Sequence, residues 1–194
     1  MIKTSTAEVR YVTHLRRRGR IEVICGCMFS GKTEELIRRI RRAQIANKAI
    51  QIFKPITDDR YDDSDVMTHN EDRLQAFPVP SADKILSLVK TSTTVVGIDE
   101  AQFFDDTIVD VCQELADRGC RVIIAALDMD SNLEPFGPAP KIMAVAERVT
   151  KLTAVCVICG EEAHRSKRLI EGTVTIEVGG VEKYEARCRD CFNQ

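Results

Sequence analysis

A glycine-rich segment directly after the first apolar run constrains the fold of this chain more than any other feature. Residues 21–25 read Ile-Glu-Val-Ile-Cys, and residues 26–33 fit the pattern G-x-x-x-x-G-K-S/T. The pattern predicts a strand, a phosphate-binding loop and a helix, because glycines let backbone N–H groups surround an anion and the helix N-terminus adds a positive dipole. Lys32 would add a point charge, and Thr33 would offer a hydroxyl to Mg²⁺. The candidate phosphate-binding residues are Gly26, Cys27, Met28, Phe29, Ser30, Gly31, Lys32 and Thr33.

Apolar runs and amphipathic segments alternate over most of the chain. The expected strands are residues 21–25, 49–53, 75–79, 94–98, 121–127 and 149–154, and the expected helices are residues 34–46, 81–89, 107–118 and 142–146. Strands that are apolar on both faces and separated by helices predict an α/β fold with a parallel sheet between helices. Ligands then bind at the carboxyl ends of the strands. Residues 56–74 are polar and acidic, and a loop of this length is either functional or disordered.

The size and charge of the chain limit its organisation and its partners. It has 194 residues and a formal net charge of −2, which allows one substantial core with a small appendage and argues against general attraction to nucleic acid or anionic lipid. We expect an N-terminal solvated arm at residues 1–20, although its arginines at 16–18 leave a nucleic-acid contact open. A nucleotide-binding domain at 21–154 and a small domain at 155–194 would follow. No apolar run reaches the length of a membrane span and no signal peptide is evident, so we expect a cytoplasmic protein.

Cysteine spacing predicts a metal site near the C-terminus. Four of the eight cysteines form two C-x-x-C pairs, and the others are expected to be small core side chains. Four thiolates fill the coordination shell of zinc and leave no position for substrate, so the zinc would be structural. A redox dithiol pair is the alternative. The expected zinc ligands are Cys156, Cys159, Cys188 and Cys191.

An acidic pair follows the expected strand at 94–98. Asp99 occupies the position from which phosphate-loop proteins hold Mg²⁺ through a carboxylate. Glu100 would reach the transferred phosphate and act as general base for an attacking hydroxyl or water. Alone, the pair would be typical of a solvated strand end, but together with the phosphate-binding loop it indicates phosphotransfer. Arg60 would clamp phosphates if its loop closes on them, and an aromatic ring at 103–104 would stack on an acceptor.

Together these residues resemble the zinc-carrying type II thymidine kinase family. The matching motifs are Met28 to Thr33, Arg38-Arg39, Lys54-Pro55, Asp58 with Arg60-Tyr61, Asp99 to Phe104, Pro135-Phe136-Gly137, Lys151 to Ala154, Lys167-Arg168-Leu169 and both cysteine pairs. The resemblance implies transfer of the ATP γ-phosphate to the 5′-hydroxyl of thymidine. It also implies a RecA-like core, a zinc-linked lasso domain, a homotetramer and feedback inhibition by thymidine triphosphate.

The resemblance also implies roles for particular residues. Glu100 would be the base, Lys32 and Arg60 would contact the phosphates, and Thr33 with Asp99 would hold Mg²⁺. Gln102 would also belong to the residues that bind ATP. Positions that match the thymidine pocket are Met28, Asp58, Phe103, Leu127, Phe136, Ser166 and Tyr184, and positions that match the lasso are Val174, Thr175, Ile176, Glu177, Val178 and Gly179.

Two positions depart from the family pattern, and two other functions stay open. Ser131 replaces a common aromatic residue beside the nucleoside, and Cys27 replaces proline or a small residue, so its alkylation could block phosphate binding. The chain could instead be a phosphate-loop ATPase acting on nucleic acid with a zinc ribbon, or a nucleotide-binding switch without catalysis. For a kinase, deoxyuridine would be a secondary substrate, since one methyl group is worth only about 1–3 kcal/mol in an apolar pocket.

Overall fold

The computed structural model describes residues 19–56, 65–67, 73–169 and 183–194. The strands are β1 Arg20–Gly26, β2 Ile50–Pro55, β3 Asp65–Met67, β4 Arg73–Gln75, β5 Phe77–Val79, β6 Val95–Ile98, β7 Arg121–Leu127, β8 Arg148–Leu152, β9 Ala154–Val155, β10 Glu162–Ala163, β11 Arg165–Arg168 and β12 Tyr184–Arg187. The helices are α1 Lys32–Ile45, α2 Ala82–Leu88, α3 Thr107–Asp117 and α4 Ala139–Val145, with short 3-10 helices at Ala101–Phe103 and Cys191–Asn193.

Six of these strands form a sheet in the order β5-β2-β6-β7-β1-β8, and every pairing within it is parallel. The α/β fold predicted from the sequence is therefore confirmed. β1 lies between β7 and β8, where its last residue, Gly26, is opposite Leu127 and Leu152. This register brings the carboxyl ends of three strands together at the start of the glycine-rich loop.

The two faces of the sheet carry separate apolar clusters. α1 packs on one face through Leu36, Ile37, Ile40 and Ala43, whose spacing places them on one side of the helix. The opposite face is covered by α2, α3 and α4, and its cluster includes Ile21, Val23 and Cys25 of β1. Alternate residues of β1 therefore enter different clusters, as expected for a strand buried on both faces.

One charged residue of β1 is fully buried beneath α1. Glu22 is 0% exposed, and its carboxylate accepts hydrogen bonds from Arg39 of α1 at 3.1 Å, from Arg121 of β7 at 2.8 Å and from Arg20 at 2.6 Å. Arg39 also donates to Thr150 of β8 at 2.9 Å. This network ties α1 to three neighbouring strands.

Two features differ from the expected secondary structure. The polar segment 56–74 was expected to be a loop, but β3 lies within it and pairs antiparallel with β4. After β8 the chain forms two antiparallel pairs, β9 with β10 and β11 with β12. The expected lasso positions 174–179 and the N-terminal arm to residue 18 lie outside the described residues. Among the residues described, no helix is long and apolar enough to cross a membrane.

Candidate active site

The glycine-rich loop joins β1 to α1 in a conformation that its glycines permit. Gly26 has a φ of 144°, and a Cβ there would lie 2.4 Å from the carbonyl oxygen of Leu152. Gly31, with a φ of 81°, precedes the first residue of α1. Within the loop, the Ser30 hydroxyl donates to the Cys27 carbonyl oxygen at 2.8 Å, and Lys32 Nζ donates to the same oxygen at 2.7 Å. The predicted loop therefore sits at the N-terminus of α1 and at the carboxyl edge of the sheet.

Thr33 and Asp99 meet at this edge. Thr33 Oγ1 lies 3.3 Å and 3.5 Å from the two carboxylate oxygens of Asp99, which follows β6 directly. Burial and the nearby charge of Glu100 raise the pKa of Asp99 to about 7, against the opposing effects of the Glu100 N–H and Lys32. A hydroxyl and a carboxylate are oxygen ligands of the kind that Mg²⁺ prefers. The two expected Mg²⁺ ligands are therefore adjacent.

Glu100 is exposed and adopts a left-handed backbone conformation, with a φ of 52°. Its carboxylate accepts a hydrogen bond from Nε2 of Gln102, and Oε1 of Gln102 accepts from the N–H of Leu127 at 3.0 Å. The Gln102 side chain is only 2% exposed. Nucleotide contact by Gln102 stays a prediction. The structure instead gives the Gln102 side chain contacts with Glu100 and with the Leu127 N–H.

Aromatic residues lie beside this acidic pair. Phe104 is in the core, whereas Phe103 is half-buried and packs edge-on against Phe136, with ring centroids 5.6 Å apart and an interplanar angle of 86°. Two close approaches fix the backbone of the loop at Phe136 and Gly137. The Phe136 N–H donates to the Asp128 carbonyl at 3.1 Å, and a Cβ on Gly137 would lie 2.5 Å from the Gln102 carbonyl oxygen. This packing presents one aromatic pair close to Glu100.

The other candidate pocket residues lie on two sides of the loop. Leu127 ends β7 and is half-buried, whereas Ser166 of β11 and Tyr184 of β12 are buried. The backbone N–H of Met28 donates to the Ser166 hydroxyl at 3.0 Å, so these two positions are in contact. Ser131 is half-buried in the loop between β7 and α4. Arg60, Asp58 and the lasso positions 174–179 lie outside the described residues.

The four cysteines of the two C-x-x-C pairs come together. Their sulfur atoms all lie within 4.8 Å of one another, and the Sγ atoms of Cys159 and Cys188 are 3.7 Å apart. Tetrahedral zinc with Zn–S bonds of about 2.3 Å separates its sulfur ligands by about 3.8 Å, so this donor set fits zinc. Cys159 is exposed and the other three are buried. A four-thiolate site of this kind leaves no coordination position for substrate.

The cysteine module, which we define as residues 154–169 and 183–194, packs directly against the phosphate-binding loop. Cys27 Sγ donates to the Ala163 carbonyl at 3.3 Å, and Cys27 belongs to the same apolar cluster as Cys156, Cys188 and Cys191. Phe29 packs against this cluster. Sequence spacing did not predict these contacts. The Cys27 thiol is 2% exposed and burial raises its pKa, both of which argue against its alkylation.

A parallel sheet, a G-x-x-x-x-G-K-T loop at a helix N-terminus and an adjacent acidic pair define a phosphate-loop nucleotide-binding protein. Comparison with known sequences narrows this class. A sequence model of the thymidine kinase family matches residues 19–192. The chain belongs to the thymidine kinase family.

Three relatives illustrate the match. The chain is 56% identical to the thymidine kinase of Rhodothermus sp. (strain ITI 518) over 174 residues, which cover 90% of this chain and 81% of the relative. It is 52% identical to the thymidine kinase of Porphyromonas gingivalis over 178 residues, covering 92% and 87% of the two chains. It is 50% identical to the thymidine kinase of Bacteroides thetaiotaomicron over 182 residues, covering 94% and 91%.

Proposed function

We propose that this chain is a thymidine kinase, which transfers the γ-phosphate of ATP to the 5′-hydroxyl of thymidine. The observation that carries the proposal is the meeting of the phosphate-binding loop with Asp99 and Glu100, since Thr33 of the loop lies 3.3 Å from the Asp99 carboxylate. A phosphate-binding loop alone would support nucleotide binding of any kind. The exposed carboxylate of Glu100 at its side adds a group that can accept the proton of an acceptor hydroxyl.

On the donor side, the residues act by position and charge. The loop N–H groups and Lys32 would hold the ATP phosphates, while Thr33 and Asp99 would hold Mg²⁺. Bound Mg²⁺ would neutralise charge on the transferring group. The transition state of phosphoryl transfer is loose, so the protein contributes mainly orientation, which can supply about 7–11 kcal/mol. Glu100 would accept the 5′-hydroxyl proton, and the hydrogen bond from Gln102 keeps its carboxylate in place.

On the acceptor side, the nucleoside would bind between the aromatic pair Phe103–Phe136 and the cysteine module. Met28, Leu127, Ser166 and Tyr184 are proposed to line this space. Asp58, Arg60 and the segment 174–179 are proposed contacts on the sequence resemblance alone. A small apolar wall at the base methyl group would leave deoxyuridine as a secondary substrate.

Several further properties are also proposals. They are the domain division at 154/155, the structural role of zinc, the homotetramer, inhibition by thymidine triphosphate and a cytoplasmic location. Zinc has support from the sulfur distances of the cysteine cluster. The others rest on the sequence resemblance or on the expectations from sequence.

A nucleoside panel tests the proposal. ATP consumption and monophosphate formation would be measured with thymidine, deoxyuridine, deoxycytidine and deoxyguanosine, and with single-stranded and duplex DNA in place of nucleoside. We expect thymidine monophosphate as the main product, with slower turnover of deoxyuridine. ATP hydrolysis that depends on DNA and falls steeply with salt would support the ATPase alternative instead. Nucleotide binding without formation of any product would support the alternative of a nucleotide-binding switch without catalysis.

A further inference from the structure

One peptide unit of the phosphate-binding loop is held at both of its polar groups. The carbonyl of this unit belongs to Cys27, and it accepts hydrogen bonds from Lys32 Nζ at 2.7 Å and from the Ser30 hydroxyl at 2.8 Å. The N–H of the same unit belongs to Met28, and it donates to the Ser166 hydroxyl at 3.0 Å. Ser30 and Lys32 are loop residues, but Ser166 comes from β11 of the cysteine module, 138 residues further along the chain.

A peptide unit is planar, so the directions of its N–H and C=O cannot change independently. The hydrogen bond to Ser166 therefore also sets the direction of the Cys27 carbonyl. That carbonyl holds the ammonium group of Lys32, the cation expected to contact the ATP phosphates. Ser166 is thus connected to Lys32 through a single rigid plane.

Ser166 is well suited to hold this plane. It is 5% exposed, and its strand pairs with β12, which leads directly to the zinc-ligand position Cys188. A second contact runs in parallel, from Cys27 Sγ to the Ala163 carbonyl at 3.3 Å. The module therefore contacts the loop at adjacent residues, through an acceptor on each of two strands.

We infer that Ser166 is a positioning residue for the phosphate-binding loop, which acts through the Cys27–Met28 peptide on Lys32. This inference rests on the proposed function, because it assigns Ser166 to the nucleotide side of the same reaction. It differs from the role that sequence resemblance suggests, which is contact with the nucleoside. The two roles predict different binding defects.

The test uses a matched pair of variants of the full chain loaded with zinc. Ser166→Thr keeps the hydroxyl, whereas Ser166→Val has nearly the same shape as Thr and lacks the acceptor. Mg·ADP binding is measured by calorimetry without nucleoside, and thymidine binding is measured separately. Thermal unfolding and zinc content are recorded for both variants, so that a folding defect is recognised.

We expect Ser166→Val to weaken Mg·ADP binding roughly 3- to 10-fold, the range that corresponds to loss of one hydrogen bond. Ser166→Thr should keep the wild-type affinity for Mg·ADP. Unchanged Mg·ADP affinity in Ser166→Val, with or without weaker thymidine binding, would overturn the inference. An equal loss of Mg·ADP affinity in both variants would overturn it as well, since the hydroxyl would then not matter.

The route through Lys32 is tested by a double-mutant cycle. If Ser166 acts on the ammonium group, then Ser166→Val should change Mg·ADP affinity less than about twofold in a Lys32→Met background. A full, additive effect would contradict the route. Failure of the proposed function would look different, because the wild-type protein would then bind Mg·ADP but form no monophosphate from any nucleoside.

Discussion

A single substitution can separate the proposed role of Glu100 as general base from a role in substrate binding. Glu100→Gln keeps the size of the side chain and a hydrogen-bonding partner for Gln102, but removes the proton acceptor. We expect kcat to fall by about 10²–10⁴, the usual contribution of a general base, with little change in the KM for thymidine. Initial rates of thymidine monophosphate formation measure both quantities.

The control for this variant is Glu114→Gln on α3, where the carboxylate is half exposed and pairs with Arg118 at 2.8 Å. It should retain wild-type kcat and KM. A Glu100→Gln enzyme with unchanged kcat would remove Glu100 from the role of base, and a raised KM alone would indicate a binding role.

Alanine substitutions at Gly26 and Gly31 can distinguish the cost of backbone strain from the cost of a steric clash in the phosphate-binding loop. Both have positive φ, but a Cβ on Gly26 would lie 2.4 Å from the Leu152 carbonyl oxygen, whereas the nearest atom to a Cβ on Gly31 is 3.7 Å away. Gly31→Ala should lower the free energy of unfolding by about 1–2 kcal/mol, the cost of left-handed backbone. Gly26→Ala should lower it further, because strand β8 must also move. Urea unfolding of the two variants measures the difference, and equal losses would contradict this reading of the loop.

At the scale of single residues, some contacts of the candidate site could be inferred from the sequence and others could not. The closeness of Thr33 to Asp99 was predictable, because the loop motif places Thr33 at the start of a helix and Asp99 follows an apolar strand. The contact of Gln102 with Glu100 was not, since it depends on the Leu127 N–H at the end of another strand. The contact of Ser166 with Met28 likewise depends on how the cysteine module packs.

The helix α1 is tied to the sheet through a buried charge, that of Glu22. Burial alone would raise the pKa of Glu22, but hydrogen bonds from Arg121 and Arg20 outweigh it and lower the pKa to about 2. The folded chain therefore holds the ionised form more strongly than the unfolded chain does. This contribution is fully present above the unfolded value near 4.5 and is lost as the pH falls towards 2.

We expect Glu22→Gln to lower the free energy of unfolding at pH 7 by roughly 1.5–3 kcal/mol, because it removes the buried carboxylate that accepts from three arginines. The loss is limited because Arg39 keeps a second pair with Glu35 at 2.8 Å. The difference between wild type and variant should narrow from pH 5 to pH 3, as the wild-type protein loses the same contribution. Urea unfolding at pH 7, 5 and 3 measures it. Release of the proposed zinc at low pH would affect both proteins alike. A difference independent of pH would show that packing, not charge, is responsible.

At the level of elements, the sequence predicted the sheet strands and the four α-helices, with shifts of a few residues at their ends. The periodic pattern of apolar residues carries this information. The strand order does not follow from it, because the neighbours of a parallel strand are set by crossover connections. The pair β3 and β4 was missed because strands of three residues are too short to show a period.

Across the whole molecule, the cysteine module packs against the phosphate-binding loop, so removal of the proposed zinc should affect both. Cys27 shares an apolar cluster with three of the four zinc-ligand positions, and Met28 donates to Ser166 of the same module. We expect chelation to lower the melting temperature and also to weaken Mg·ADP binding, although no zinc ligand would touch the nucleotide. Cys159→Ser, at the exposed ligand position, should reproduce both effects, whereas Cys120→Ala, outside the cluster, should keep zinc and Mg·ADP affinity. Metal analysis, thermal unfolding and calorimetry measure the three properties. A zinc-free protein that melts earlier but binds Mg·ADP normally would show that the module stabilises the fold without shaping the loop.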